Sequence, residues 1–309
     1  MIAAAHLKGA MSIDVEEHFH AAALASGAPR AVWDGMESRV VAATETAMSL
    51  FADAGVKATF FTLGIVAERH PALLRRIAEA GHEIASHGHA HWRIREQSPA
   101  EFRADVIRTK ASLEDASGQA VVGYRAANFS LDAGTWWAYD ILAETGHRYS
   151  SSINPVRHDH YGMPDAPTGP FLPGVPGIVE LPMTTVAFGG RRWHASGGGW
   201  FRLMPYALYN AALGRAERNE GLRGLFYFHP WEVDPGQPRI DAPLKSRLRH
   251  YVNLDVMGAK LAHLMRDRPW GRVDDVFAAE IAGPALLPGW SPAVQGIASA
   301  EQTPCSGQG

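Results

Sequence analysis

Residues 81–92 read "GHEIASHGHAHW": a glycine that stops a helix, a short β-capable run over 82–86, and then His87, His89 and His91 at every second position. Metal-competent side chains placed directly after a strand are what the carboxyl edge of a parallel α/β sheet presents. The fold therefore turns on whether other strands end the same way. They do. "MSIDV" (11–15) holds Asp14 and runs into Glu16 and Glu17, "AVVGYRA" (120–126) carries Arg125 at its end, and "GLFYFHP" (224–230) delivers His229.

Helical patterns alternate with these strands. Val40, Ala43, Ala47, Leu50 and Ala54 recur at helical spacing until Gly55. "ATFFTL" (58–63) reads as a strand, and Pro71 opens a helix through Leu73, Leu74 and Ile77. Ser98-Pro99-Ala100-Glu101 is a capping box for a helix running to about Ser117. Asp132 caps a helix through Trp136, Trp137, Ile141 and Leu142 to Gly146. "RYSSS" (148–152) and "GIVELP" (177–182) are further strands, with helices expected around 204–219 and 243–268. Residues 153–177, dense in proline and glycine, predict a long ordered loop, because their Tyr, His and Phe argue against disorder. Seven βα-type units imply a parallel sheet, open or closed as a barrel.

Composition narrows the function classes. With 46% hydrophobic and 20% charged residues, the 309-residue chain suits a globular enzyme of one large or two smaller domains. A net charge of -3 gives no electrostatic reason to expect a nucleic acid partner. No apolar run approaches the ~20 residues of a membrane span. The N-terminus lacks the pattern of a secretion signal, so a cytoplasmic location is expected, with Met11 as an alternative start ahead of the first strand. Cys305 is the only cysteine, which excludes an internal disulfide. The Pro, Gly, Ser and Gln-rich stretch from about 283 to 309 is expected to be a mobile tail.

His87 and His91, four apart, face one side if the chain turns; an extended chain would align all three histidines. Gly88 favours the turn and sends His89 elsewhere. A carboxylate from "DVEE" (14–17) would complete a two-histidine, one-carboxylate set with positions left open for water.

"SIDVEEHFH", "ATFFTLG", "GHEIASHGHAHW", "GYRAANFS" and "YFHPWEVDPG", in this order, resemble the polysaccharide deacetylases, the carbohydrate esterases built on the NodB homology domain. "SSINPVRHDHYGMPDAP" and "GGGWFRLMP" resemble the deacetylases of bacterial exopolysaccharide operons, which carry an extra C-terminal segment. The resemblance covers about residues 10–280. It implies a distorted, seven-stranded (β/α) barrel, with a catalytic domain over 10–282 whose family-specific segment begins near 153.

The same resemblance assigns roles. Asp14 is the expected base and Glu16, His87 and His91 the expected ligands of a divalent metal, Zn2+ first, with Co2+, Ni2+ or Fe2+ able to serve. Arg125 orients the base and His229 is the expected acid. Glu17 rivals Glu16, and neither Glu232 nor Asp234 is singled out as the support of His229. Trp200, Trp231 and Asn128 are expected to line the path of an N-acetylated glycan substrate. Two alternatives stand beside N-deacetylation: hydrolysis of a small cyclic amide on the same fold, or a non-catalytic carbohydrate-binding relative.

Overall fold

A computed structural model describes residues 6–158 and 161–292. Its strands are β1 (Gly9–Val15), β2 (Thr59–Thr62), β3 (Glu83–Ser86), β4 (Gly123–Tyr124), β5 (Tyr149–Ser150), β6 (Val179–Glu180), β7 (Thr185–Phe188), β8 (Arg191–His194), β9 (Leu225–Phe228) and β10 (Trp270–Gly271). Seven of them form a parallel sheet in the order β9-β1-β2-β3-β4-β5-β6. The short β10 adds to β1 at Gly9 and Ala10. Among the described residues β6 and β9 do not pair, so the sheet curls as a half-barrel. This is the distorted (β/α) barrel expected from the sequence.

Every residue of β1 is buried, as a parallel strand covered on both faces requires. Helices supply the cover. Val40–Ala54 buries Val40, Ala43, Ala47 and Phe51, and Pro71–Glu79 buries Leu73, Leu74 and Ile77. Pro99–Ser117 starts at the predicted capping box, with the Glu101 amide donating to Ser98 Oγ. No helix of the described residues is long and apolar enough to cross a membrane.

Several boundaries differ from the sequence reading, each for a physical reason. β1 starts at Gly9, so Met11 lies inside the strand rather than ahead of it. β4, β5 and β6 hold two residues each. Beyond Ser150 side chains take over the ladder: the amides of Ser152 and Ile153 both donate to Glu180 Oε1 at 2.8 Å. Asp132 caps only the single turn Ala133–Thr135 before the helix Ala138–Glu144. The helix expected over 243–268 is two, Leu244–Tyr251 and Leu254–Asp267, broken where Asn253 adopts φ 55°. β7 and β8 form an unexpected antiparallel hairpin, turned by Gly189 and Gly190. Within the expected tail, Trp290 donates its amide to Leu172 at 2.8 Å and packs on Trp136 and Phe171. Residues 293–309 lie outside the described residues.

Glu83, at the start of β3, lies at the end of the sheet away from the histidines. Thr59 Oγ1, Tyr149 Oη and the Asp274 amide all donate to its carboxyl group. Burial, with the Asp274 charge nearby, pushes it up to about 8 from 4.5. The folded chain thus retains a proton that the unfolded chain releases, so stability is lost as pH rises between these values. Glu83→Gln keeps an acceptor and has no proton to lose. Between pH values of about 5 and 8, melting of this variant is expected to gain on wild type; parallel melting curves across that range would contradict it.

Candidate active site

The carboxyl ends of β1 and β3 bring Glu16, His87 and His91 together. One ligand atom of each lies within 4.8 Å of the others, and all three residues are buried. Glu16 Oε2 stands 2.7 Å from His91 Nε2 as an ion-pair contact, with no hydrogen-bond partner among the described residues. Two donor atoms converging in this way fit a shared cation better than they fit each other. His87 Nδ1 lies 2.9 Å from the Arg125 carbonyl, which as acceptor fixes the tautomer and leaves Nε2 free to coordinate. Burial pushes His87 down to about 4, so its ring is neutral at pH 7, as ligation demands. Burial raises Glu16, but His91, His229 and His20 together outweigh it and hold the carboxyl group below the usual range.

The chain passes from His87 to His91 by a turn, with Gly88 at φ 77° and His91 at φ 59°. His89 points away, its amide donating to Asp105 and its Nε2 lying 3.1 Å from Glu68. Glu17 is occupied elsewhere: it accepts from the Arg39 amide at 2.9 Å and from Ser38 Oγ at the start of the first long helix. The structure thus brings Glu16, not Glu17, to the histidines.

Arg125 is fully buried beneath Asp14. Its Nη1 donates to Asp14 Oδ1 at 2.6 Å and to Ser12 Oγ at 2.9 Å. Nε and Nη2 reach the carbonyl and hydroxyl of Ser151, and the guanidinium lies 3.9 Å from the Phe61 ring centroid. A buried charge is tolerated only when its partners are supplied this fully. Asp14 Oδ1 is thereby fixed, and no described residue hydrogen-bonds its Oδ2.

His229 approaches from the end of β9, with Nε2 3.7 Å from Glu16 Oε1. Its other nitrogen, Nδ1, is 3.1 Å from Glu232 Oε2, and Glu232 is backed by Arg202 Nε at 2.9 Å. Burial would lower His229, but the Glu232 contact and the charge of Glu16 carry it up to about 9. Asp234, the other neighbour in sequence, is taken by two hydrogen bonds from Arg39. The spacing of His229-Pro230-Trp231-Glu232, a capping box with proline at its first helical position, was a readable signal for Glu232. Arg202, Ser12 and Ser151 carry no such local signal, since only the fold brings them here.

The expected glycan contacts divide. Trp231 requires correction: it is 7% exposed, with His229 stacked on one side at 4.8 Å and His250 at 4.2 Å. Neither face is open to a sugar, and its Nε1 donates to Glu16 Oε1 at 3.3 Å instead. Trp200 is 39% exposed and stacks on His194. From it a series of ring contacts runs through His194, Tyr161, Phe129 and Tyr227 to His229. Asn128 follows Arg125 in a left-handed conformation at φ 54°, partly exposed, and Phe129 beside it has φ 50°.

Comparison with known proteins agrees with this arrangement. The polysaccharide deacetylase family model matches residues 32–149, and a domain of unknown function, DUF3473, matches 151–278. A chitooligosaccharide deacetylase of Bradyrhizobium is 32% identical over 88 residues, 28% of this chain and 38% of that protein. A peptidoglycan-N-acetylglucosamine deacetylase of Bacillus cereus is 40% identical over 65 residues, 21% of this chain and 24% of that one. The chain thus spans well under two thirds of the length of these two relatives. A solved structure from Mycobacterium smegmatis, provisionally assigned as a polysaccharide deacetylase, superposes with a TM-score of 0.59 at 20% identity. It covers 95% of this chain and 96% of its own, and shows that the fold is shared. The deacetylase match contains His87, His91 and Arg125, while Asp14, Glu16 and His229 join them through the sheet. Over residues 32–149 the chain is thus similar to the polysaccharide deacetylases, and over 151–278 to DUF3473.

Proposed function

We propose that the protein is a metal-dependent hydrolase that removes N-acetyl groups from sugar residues of a bacterial exopolysaccharide or its precursor. The observation that carries this reading is the convergence of Glu16, His87 and His91 beside an Arg125-bound Asp14 and a Glu232-bound His229. The named activities of the two relatives support the sugar amide as substrate. The ring contacts leading from His229 to the exposed Trp200 supply apolar faces of the kind sugars stack on.

Glu16, His87 and His91 would hold the cation, with Zn2+ first and Co2+, Ni2+ or Fe2+ also suited to this donor set. When bound, the cation supplies a Lewis acid that polarises the amide carbonyl and lowers the pKa of the attacking water. Asp14 takes the proton of that water on Oδ2, because Oδ1 is committed to Arg125. His229, with Nδ1 turned to Glu232, delivers a proton from Nε2 to the leaving amine. Its raised pKa keeps that proton in place near neutrality; the part contributed by Glu16 shrinks when a cation shares the carboxylate. Acetate leaves with the oxygen of the water, and the free amine stays on the sugar.

Metal analysis, paired with acetate release from N-acetylglucosamine oligomers, tests the reading. Wild type is expected to hold stoichiometric metal and release acetate. His87→Ala should lose both, and His89→Ala should keep the metal. Equal metal in wild type and His87→Ala would break the ligand assignment.

A further inference from the structure

We propose that Arg30 is a positioning residue for the cation site: it fastens His91 in the left-handed turn from which the imidazole reaches Glu16 and His87. The inference rests on the metal reading above and extends it to a segment outside the family match, which begins at residue 32.

His91 has φ 59°, the left-handed conformation that any residue with a Cβ disfavours. Gly88, at φ 77° in the same turn, meets no such resistance. The surroundings must therefore hold His91 in place. Arg30 does so from the backbone side, with Nη1 donating to the Ala90 carbonyl and Nη2 to the His91 carbonyl at 3.0 Å. Among the described residues no other donor reaches either oxygen. The planar guanidinium thus bridges two consecutive peptides, a fork that a lysine cannot reproduce.

Arg30 is itself held. Its guanidinium carbon lies 4.3 Å from the Trp33 ring centroid and 3.6 Å from that of Trp92. Trp33 is tied back by a hydrogen bond from Nε1 to the Ala28 carbonyl at 2.9 Å. Trp92, next to His91 in sequence, brings the clamp onto the same turn. No carboxylate lies within ion-pair distance of Arg30 among the described residues, so its donors serve carbonyls rather than a surface ion pair.

A second contact reaches the His91 ring. His20 stacks on it at 5.5 Å with the planes 15° apart, and Trp33 packs against His20 at 4.3 Å. The segment from His20 to Trp33 therefore grips His91 by ring and by backbone. A ligand held this way is already in its coordinating geometry before a cation arrives, which strengthens binding without adding a donor atom.

The test uses the full chain and Zn2+ alone. Arg30→Ala, Arg30→Lys and Trp92→Leu are compared with wild type by competition against a chelating dye. Melting and hydrogen exchange over residues 88–93 are followed in the metal-free proteins. Arg30→Ala is expected to weaken Zn2+ binding by about 10- to 100-fold and to speed exchange over 88–93, while melting stays close to wild type. Arg30→Lys, keeping the charge but losing the fork, should recover only part of the affinity. Trp92→Leu removes one face of the clamp from an exposed position and should weaken binding less than Arg30→Ala.

Unchanged Zn2+ affinity and unchanged exchange in a folded Arg30→Ala would overturn the inference. If that variant does not fold, the same pair of results for Trp92→Leu overturns it. If wild type binds no Zn2+, the metal reading falls, and exchange over 88–93 still decides whether Arg30 holds the turn.

Discussion

Asp14→Asn will bind the cation as wild type does and release acetate about 10²- to 10⁴-fold more slowly, the usual contribution of a positioned general base. The side chain keeps its shape, and its amide oxygen can still accept from Arg125 Nη1, so the buried guanidinium retains a partner. What disappears is the capacity to take a proton. Glu16, His87 and His91 are untouched by the change. A metal assay run beside the kinetics separates base from ligand: loss of the cation together with activity would mean that Asp14 and Glu16 have exchanged roles.

Arg125→Met will destabilise the fold by about 3–5 kcal/mol, the range seen when one member of a buried ion pair is removed. Methionine fills much of the volume but donates no hydrogen bond. Asp14, 3% exposed at its side chain, is left without its cation, and Ser12 and Ser151 lose the donors that tie β1 to the residue following β5. Denaturant unfolding measures the loss. The double variant Asp14→Asn, Arg125→Met should lose less than the two single losses added together, because the stranded charge is gone. Additive losses would show that the pair is not coupled.

The sequence disclosed the parts of this site that strand ends carry. Parallel strands deliver their carboxyl ends to one edge, so Asp14, Glu16, His87, Arg125 and His229 could be grouped before any coordinates were known. Gly88 marked the turn that separates His89 from its neighbours. The choice between Glu16 and Glu17 was hidden because the two are adjacent in sequence, while for Glu232 over Asp234 the capping box over 229–232 was the one local signal. Arg39 settles much of both: its amide engages Glu17 and its guanidinium engages Asp234.

Trp231 was misread because an aromatic residue beside a catalytic motif looks the same whether its faces are open or covered. Here two histidines cover it. The shortness of β4, β5 and β6 was hidden for a different reason: the apolar pattern continues while Glu180 replaces the ladder bonds. The Arg30 clamp is a tertiary feature, since 61 residues separate it from His91.

The most direct measurement of the central claim is acetate release from N-acetylglucosamine oligomers by protein stripped of metal and titrated with Zn2+ or Co2+. The stripped protein should be inactive, and activity should rise to a plateau at one equivalent of cation, with Glu16→Ala remaining inactive throughout. Full acetate release by the stripped protein in excess chelator would contradict the account.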